Sequence, residues 1–377
     1  MVYIDRILET TLKNALFKDK AIVIYGPRQV GKTTLVQRLL DEQESKKIAR
    51  YTCDDQRQAK LFEPDIQQLK RVVGDSEIIL IDEAQAITNT GLVLKLLVDN
   101  FPGVQIIATG SSAFELSDKI KESMAGRVFS FNLLPLALSE VATSQPERAT
   151  FDIERAMQLG MYPEVFTSDD IDAKKLLTEI VESYLYKDLL QSVTLRNESL
   201  LIRLLKALAL QVGQEVSFNE LATLLEVNRA TIERYIYLLE KAFVIFRLDP
   251  LSSNPRKVIA SRKRKIYFYD MGVRSVLAGQ LDVSPLINPS LGGIFENFCI
   301  VERMKLQLAR DKRVERYYWR SFDSEVDYVE QASGVIRAFE FKWKKSKQRR
   351  IPTFEKQFPK STIVVINSDN FWDFVSF

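Results

Sequence analysis

Gly26-Pro27-Arg28-Gln29-Val30-Gly31-Lys32-Thr33 constrains this chain more than any other stretch. It spells G-x-x-x-x-G-K-T, and its surroundings suit it. Ala21 to Tyr25 before it is a short apolar run that reads as a buried strand, and Thr34 to Leu40 after it carries apolar residues at helical spacing. A loop between strand and helix aims backbone N–H groups at a bound phosphate, and the positive end of the helix dipole adds to them. In that setting Lys32 reaches the β- and γ-phosphates and the Thr33 hydroxyl holds Mg²⁺, with Thr34 opening the helix beside them. The stretch predicts ATP and Mg²⁺ as cofactors on an α/β fold.

A second segment supplies what hydrolysis needs. Glu77 to Glu83 is an apolar strand ending in two carboxylates. Asp82 suits a Mg²⁺ contact, and Glu83 suits a base that orients the attacking water. An acidic pair can also simply cap the next helix. A further strand, Gln105 to Ala108, ends in Thr109-Gly110-Ser111-Ser112. Hydroxyls at that tip, Ser111 among them, either sense the γ-phosphate or are turn residues.

Composition narrows the remaining chemistry. The 377 residues are enough for two to four domains, and the net charge of +3 implies little by itself. There are no histidines, which excludes His-based catalysis and His-ligated metals. Cys53 and Cys299 lie far apart, which excludes a zinc cluster and argues for a reducing cytoplasm. No signal-peptide pattern opens the chain and no apolar run approaches membrane-spanning length, so no membrane partner is expected.

Residues 1–140 alternate strands (near 21–25, 49–53, 77–82, 105–109 and 128–133) with helices, which predicts a parallel sheet with its ligand at the carboxyl ends of the strands. Residues 141–205 read as a helical lid interrupted by Gly160-Met161-Tyr162-Pro163. Residues 206–285 give helix, tight turn, helix and hairpin, the winged helix-turn-helix order. Arg229 and Arg234 are the basic residues of its second helix. Arg256, Lys257, Arg262, Lys263, Arg264 and Lys265 crowd the expected wing with no acid among them, a pattern suited to a nucleic-acid backbone. Residues 286–377 read as a separate α/β unit.

That last unit holds a second acidic constellation: Glu296 on a helix, Asp327 on one strand of a hairpin, and Glu340 and Lys342 two apart on the other. Glu340 and Lys342 share a face of their strand. Carboxylates and a lysine converging there could hold a second Mg²⁺ or a Mn²⁺ and position water, the chemistry of a metal-dependent nuclease. A cross-strand salt bridge is the other reading of the same residues.

Taken with Asp82-Glu83-Ala84-Gln85, Glu122 to Arg127, Leu134-Pro135-Leu136, Met161 to Glu164, Lys265 to Asp270, Phe295-Glu296-Asn297, Trp319-Arg320 and Glu340-Phe341-Lys342, the whole chain resembles the bacterial and archaeal AAA-type ATPases that carry a C-terminal domain of unknown function, DUF4143. The resemblance implies a P-loop core, a helical lid, a winged helix and a fold similar to the PD-(D/E)xK nucleases. It places Arg127 where such enzymes keep an arginine finger that acts on a neighbouring subunit, which would require a homo-oligomer; a plain surface arginine is the other reading. Gly160-Met161-Tyr162-Pro163 is similar to the G-x-P lid motif of signal-transduction ATPases, whose proline packs on adenine, with Met161 where many relatives have a second glycine. Two functions follow: an ATPase that acts on DNA, or a nucleotide-driven switch whose winged helix and C-terminal domain meet protein.

Overall fold

The computed structural model describes residues 3–110, 124–144, 153–185, 197–252, 263–345 and 350–376. Four of the expected site residues, Ser111, Arg256, Lys257 and Arg262, lie outside the described residues.

Five strands alternate with helices in the first part of the chain: β1 (Ala21–Tyr25), β2 (Ile48–Thr52), β3 (Ile78–Asp82), β4 (Gln105–Gly110) and β5 (Val128–Asn132). All pair in parallel, in the order β2-β3-β4-β1-β5. Along β1, Ala21, Val23 and Tyr25 enter one apolar cluster, and Ile22 and Ile24 enter another. A strand covered on both faces has no solvent side, so its sequence is an unbroken apolar run. Because the strands are parallel, the phosphate loop after β1, Asp82 at the end of β3 and Thr109 near the end of β4 all fall on one edge of the sheet.

A strap follows β5 over that edge. Leu133 N donates to Tyr25 O at 2.7 Å, and Leu136 N donates to Met161 O at 2.9 Å. A Cβ on residue 26 would lie 2.0 Å from the Leu133 carbonyl oxygen, so the first position of the loop has room only for glycine. Short helices Ile153–Leu159, Pro163–Thr167 and Asp170–Glu179 then build the segment expected as a lid, and helix Glu198–Leu210 leads out of it.

The helix, turn, helix, hairpin order is present: β6 (Glu215–Ser217), helices Phe218–Leu224 and Arg229–Lys241, then β7 (Ile245–Pro250) and β8 (Lys263–Phe268). Ser217 and Asn228 cap the two helices by accepting from Glu220 N and Thr231 N. The hairpin does not stand free. Asp249 and Pro250 of β7 pair in parallel with Tyr317 and Tyr318 of β9 (Glu315–Arg320). With β10 (Glu325–Ala332), β11 (Val335–Phe341) and β12 (Thr362–Ile366), one seven-stranded sheet results, ordered β12-β11-β10-β9-β7-β8-β6. The last block, expected as a separate unit, therefore shares its sheet with the hairpin. An uncovered strand edge is a row of unpaired amides and carbonyls, and β9 satisfies that of β7.

Helix Leu291–Ala309 ties these parts together and is buried along most of its length, polar residues included. Glu302 accepts from Leu138 N at 2.7 Å, and Lys305 donates to Leu136 O at 2.9 Å and to Glu302 at 2.6 Å. Arg303 makes a two-pronged pair with Glu330 of β10, at 2.6 and 2.9 Å. One helix thus grips the strap on one side and the large sheet on the other, each buried charge being matched by a partner.

Candidate active site

The phosphate loop has the backbone that its sequence demands. Gly31 has φ +90° and caps helix Lys32–Asp41. Gln29 has φ +61°. A left-handed backbone at Gly31 costs nothing because glycine has no Cβ to clash. Lys32 is buried, and its ammonium donates to the carbonyls of Gly26 and Pro27 at 3.0 and 2.9 Å. The charge therefore sits at the loop itself. Arg28 is half-buried, Gln29 and Thr34 are exposed, and Val30 is buried beneath the loop.

The two carboxylates meet the loop as the strand order requires. Thr33 Oγ1 donates to Asp82 Oδ2 at 2.9 Å. Thr109 Oγ1 donates to Asp82 Oδ1 and accepts from Glu83 N at 3.3 Å. Thr109 is fully buried and joins the two acids, so the strand-tip hydroxyl is more than a turn residue. Glu83 has φ +52°, a left-handed backbone that costs a glutamate on the order of 1 kcal/mol and is held by its surroundings. Its carboxylate accepts from Gln85 Nε2. A threonine hydroxyl and an aspartate at hydrogen-bond distance are hard oxygen donors of the kind Mg²⁺ takes, so these residues fit that ion.

Pro163 opens helix Pro163–Thr167 and is half-buried beside the buried Tyr162. The strap links this lid motif to the end of β1. Arg127 lies elsewhere. Its carbonyl accepts from Ala21 N, at the start of β1, and its guanidinium pairs with Asp99 at 2.6 Å. The phosphate loop leaves the other end of β1, roughly 13 Å away at the rise of an extended strand. Arg127 therefore does not belong to the site of its own chain.

Two residues that sequence reading passed over stand at the loop. Arg6 is buried and donates Nη1 to Val30 O at 2.9 Å, Nη2 to Leu134 O at 2.6 Å and Nε to Glu140 at 3.1 Å. Glu140, also buried, accepts in addition from Ile7 N and Ala137 N, each at 2.9 Å. Neither residue sits in a local pattern. Arg6 and Glu140 are 134 positions apart, so only folding brings them together.

The C-terminal acids are arranged differently from the expectation. Glu296 and Asp327 do converge, but around Lys265 of β8. Its ammonium lies 3.0 Å from Glu296, 3.4 Å from Asp327 and 2.7 Å from Glu325. Tyr267 donates its hydroxyl to Glu296 as well. Lys265 was expected on the wing surface against nucleic acid, yet its side chain is 1% exposed. The reason is alternation along β8, which turns it to the sheet face that packs on helix Leu291–Ala309. Lys342 follows β11 with its side chain half exposed, 3.5 Å from Glu340, which is the salt bridge allowed as the other reading. Asp327 accepts from Phe341 N at 3.0 Å.

These residues do not fit a second Mg²⁺ or a Mn²⁺. An ammonium already fills the space between the carboxylates, and a divalent cation placed there would be repelled by it at close range. Among the described residues no group of three or more candidate ligands is disposed to hold a metal ion. Burial, and then the neighbouring Asp327, push Glu296 up to about 8. Burial by itself would lower Lys265, but Tyr267, Glu296, Asp327 and Glu325 around it outweigh that and hold it well above its ordinary value.

Of the remaining basic residues, Arg229 pairs with Glu233 at 2.8 Å, and Arg264 pairs with Asp249. Lys263 lies 3.6 Å from Glu215 with its side chain about half exposed, and Arg234 is exposed.

Three family models match successive parts of the chain. An AAA domain matches residues 18–142, and a domain of unknown function, DUF8612, matches residues 150–284. A second domain of unknown function, DUF4143, matches residues 291–374. An uncharacterised protein of Mycobacterium bovis is 32% identical over 340 residues, which cover 88% of this chain and 72% of that protein. The chain belongs to the AAA-domain family with a C-terminal DUF4143 domain. An uncharacterised protein of Methanocaldococcus jannaschii is 24% identical over 375 residues, covering 93% of this chain and 81% of that protein. Among solved structures, AMPPCP-bound DnaA from Aquifex aeolicus overlaps in part, with a TM-score of 0.32 and 15% identity over 62% of this chain and 86% of that one. Within the family, the single DUF8612 match spans both the lid and the helix–helix–hairpin unit. Asp270 stitches the two by accepting from Met161 N at 2.8 Å and from Gly272 N at 2.9 Å. No helix among the described residues is long and apolar enough to cross a membrane.

Proposed function

We propose that this AAA-family chain binds ATP with Mg²⁺, hydrolyses it, and uses the cycle as a switch on the attached DUF8612 and DUF4143 units. The observation that carries the reading is the 2.9 Å contact between the Thr33 hydroxyl and Asp82, with Glu83 next along the chain. Lys32 at the loop offsets phosphate charge. Glu83, oriented by Gln85 and by the hydrogen bond that its backbone N–H donates to the Thr109 hydroxyl, takes a proton from water as the water oxygen bonds to the γ-phosphorus. The bond from that phosphorus to the bridging oxygen breaks, and ADP leaves with the electron pair. When bound, Mg²⁺ at Thr33 and Asp82 supplies positive charge to the phosphate oxygens. Turnover of ATP by wild type and by Glu83→Gln tests the assignment, and equal rates in the two would sink it.

The switch reading is supported by how the hairpin is used. Its strands lie inside a shared sheet, Lys265 is buried among C-terminal carboxylates, and Asp270 holds the lid. A movement of the lid would therefore pull on the DUF4143 unit. DNA binding is the second reading, favoured by the basic run that the sequence carries from Arg256 to Lys263 and by the exposed Arg234. A DNA titration over a range of salt separates the two. Affinity that falls steeply with salt, and that is lost when Arg256, Lys257, Arg262 and Lys263 become alanine, supports DNA. Cleavage of nucleic acid is no part of either reading, because the carboxylates face an ammonium.

A further inference from the structure

Arg6 lies outside the residues that the AAA family model matches, yet its guanidinium reaches the middle of the phosphate loop. It caps helix Ile7–Ala15, ahead of the first strand of the sheet, and its three donors have three different acceptors: Val30 O, Leu134 O and Glu140. Leu134 belongs to the strap, and Glu140 is fixed in turn by the amides of Ile7 and Ala137. The guanidinium is therefore held from behind as it donates forward. Arginine suits this task because its fork is planar and rigid, whereas a lysine ammonium would have to choose among acceptors set in different directions.

The consequence lies in one peptide plane. Among the described residues there is no cis peptide bond, so Val30 C=O and Gly31 N–H share a trans plane and point in opposite directions. Pinning the Val30 oxygen toward Arg6 turns the Gly31 N–H away from it. Gln29, two residues before Gly31, has φ +61°, a left-handed backbone that a residue other than glycine seldom adopts. We propose that Arg6 is a positioning residue for the phosphate loop: by holding the Val30 carbonyl it aims the Gly31 amide at the nucleotide's phosphates. This rests on the ATP-binding reading above. Arg6 touches no phosphate in this account, and it acts through the orientation of a single amide.

The test compares full-length wild type with Arg6→Ala and Arg6→Gln by calorimetric titration of ATP with Mg²⁺, alongside thermal midpoints measured without nucleotide. Each variant is expected to bind ATP and ADP about tenfold more weakly or worse, the loss of a charge-assisted hydrogen bond. Millimolar methylguanidinium added to Arg6→Ala is expected to restore most of that affinity. Affinity within twofold of wild type in either folded variant overturns the proposal, as does methylguanidinium that raises the thermal midpoint but leaves nucleotide affinity low. If Arg6→Ala does not fold, the Gln variant decides by the same comparison and the same addition. If neither folds, Arg6 holds the fold as a whole and the specific role in the loop is rejected. A wild type that binds no nucleotide fails in the first arm, which overturns the ATP reading, and this inference with it, before any variant is compared.

Discussion

Two side chains, one marked in the sequence by its strand-tip position and one without any local signature, tie the phosphate loop and the acidic pair into place. Thr109 is the bond between Asp82 and Glu83, and Arg6 backs the loop. Lys32→Ala is expected to abolish measurable ATP binding, because the loop loses the cation that faces the phosphates. Glu83→Gln should retain ATP affinity while turnover falls by about a hundredfold or more, since the shape is kept and the base is lost. Thr109→Val removes one donor to Asp82 and one acceptor from Glu83 N while nearly preserving volume. It should lower stability by about 1–3 kcal/mol in a urea melt and slow turnover more than it weakens binding. Valine that leaves both unchanged would show that the hydroxyl is incidental.

At the level of elements, joints matter more than individual helices. The strap after β5 is bonded to the end of β1, to the lid at Met161 and to helix Leu291–Ala309 through Glu302 and Lys305. Asp270 is the corresponding joint between hairpin and lid, where its carboxylate accepts from three amides: Met161, Gly272 and Val273. Gly160 beside it has no room for a side chain, since a Cβ there would lie 2.0 Å from Asp270 Oδ1. Asp270→Ala leaves buried N–H groups unpaired and is expected to cost at least about 3 kcal/mol, measured by denaturant unfolding. A loss below about 1 kcal/mol would show that water replaces the carboxylate.

Across the whole molecule, one cluster joins three parts of the chain: Lys265 and Tyr267 from the hairpin, Glu296 from the long helix, and Glu325 and Asp327 from β10. Glu296 has an ordinary value of 4.5 and stands at about 8 when folded. A raised value means that the folded state binds the proton more tightly than the unfolded chain. That contribution to stability is complete below about 4.5 and is lost as pH rises through about 8. Thermal midpoints of wild type should therefore fall across that interval, and Glu296→Gln, which keeps the neutral shape, should fall less. A parallel decline in both proteins would refute the assignment. Mn²⁺ or Mg²⁺ without nucleotide should leave the midpoint of an Asp82→Ala protein, which lacks the carboxylate of the first site, unchanged, because Lys265 holds the place between the C-terminal carboxylates. Arg127, at the opposite end of β1 from its own phosphate loop, is proposed to serve a neighbouring subunit. If it does so, mixing Arg127→Ala with Lys32→Ala chains will restore part of the turnover that each has lost.

The sequence by itself determined the phosphate loop, the acidic pair after β3 and the alternation of strands and helices. Each of these depends on residues a few positions apart, and backbone sterics and hydrogen bonding act over that range. It also marked the last strand, Thr362 to Ile366, and the helix–turn–helix order, where caps and apolar spacing are local signals. What it could not decide was which lysine would stand among the C-terminal acids. Lys342 lies two residues from Glu340, whereas Lys265 is 31 positions from Glu296 and 62 from Asp327. Pairing of β7 with β9 fused two expected units into one sheet, turned Lys265 inward and replaced an expected metal centre with an ion-paired joint. Spacing along a chain fixes which side chains share a face; which face is buried, and against what, depends on long-range strand pairing that only the tertiary structure settles.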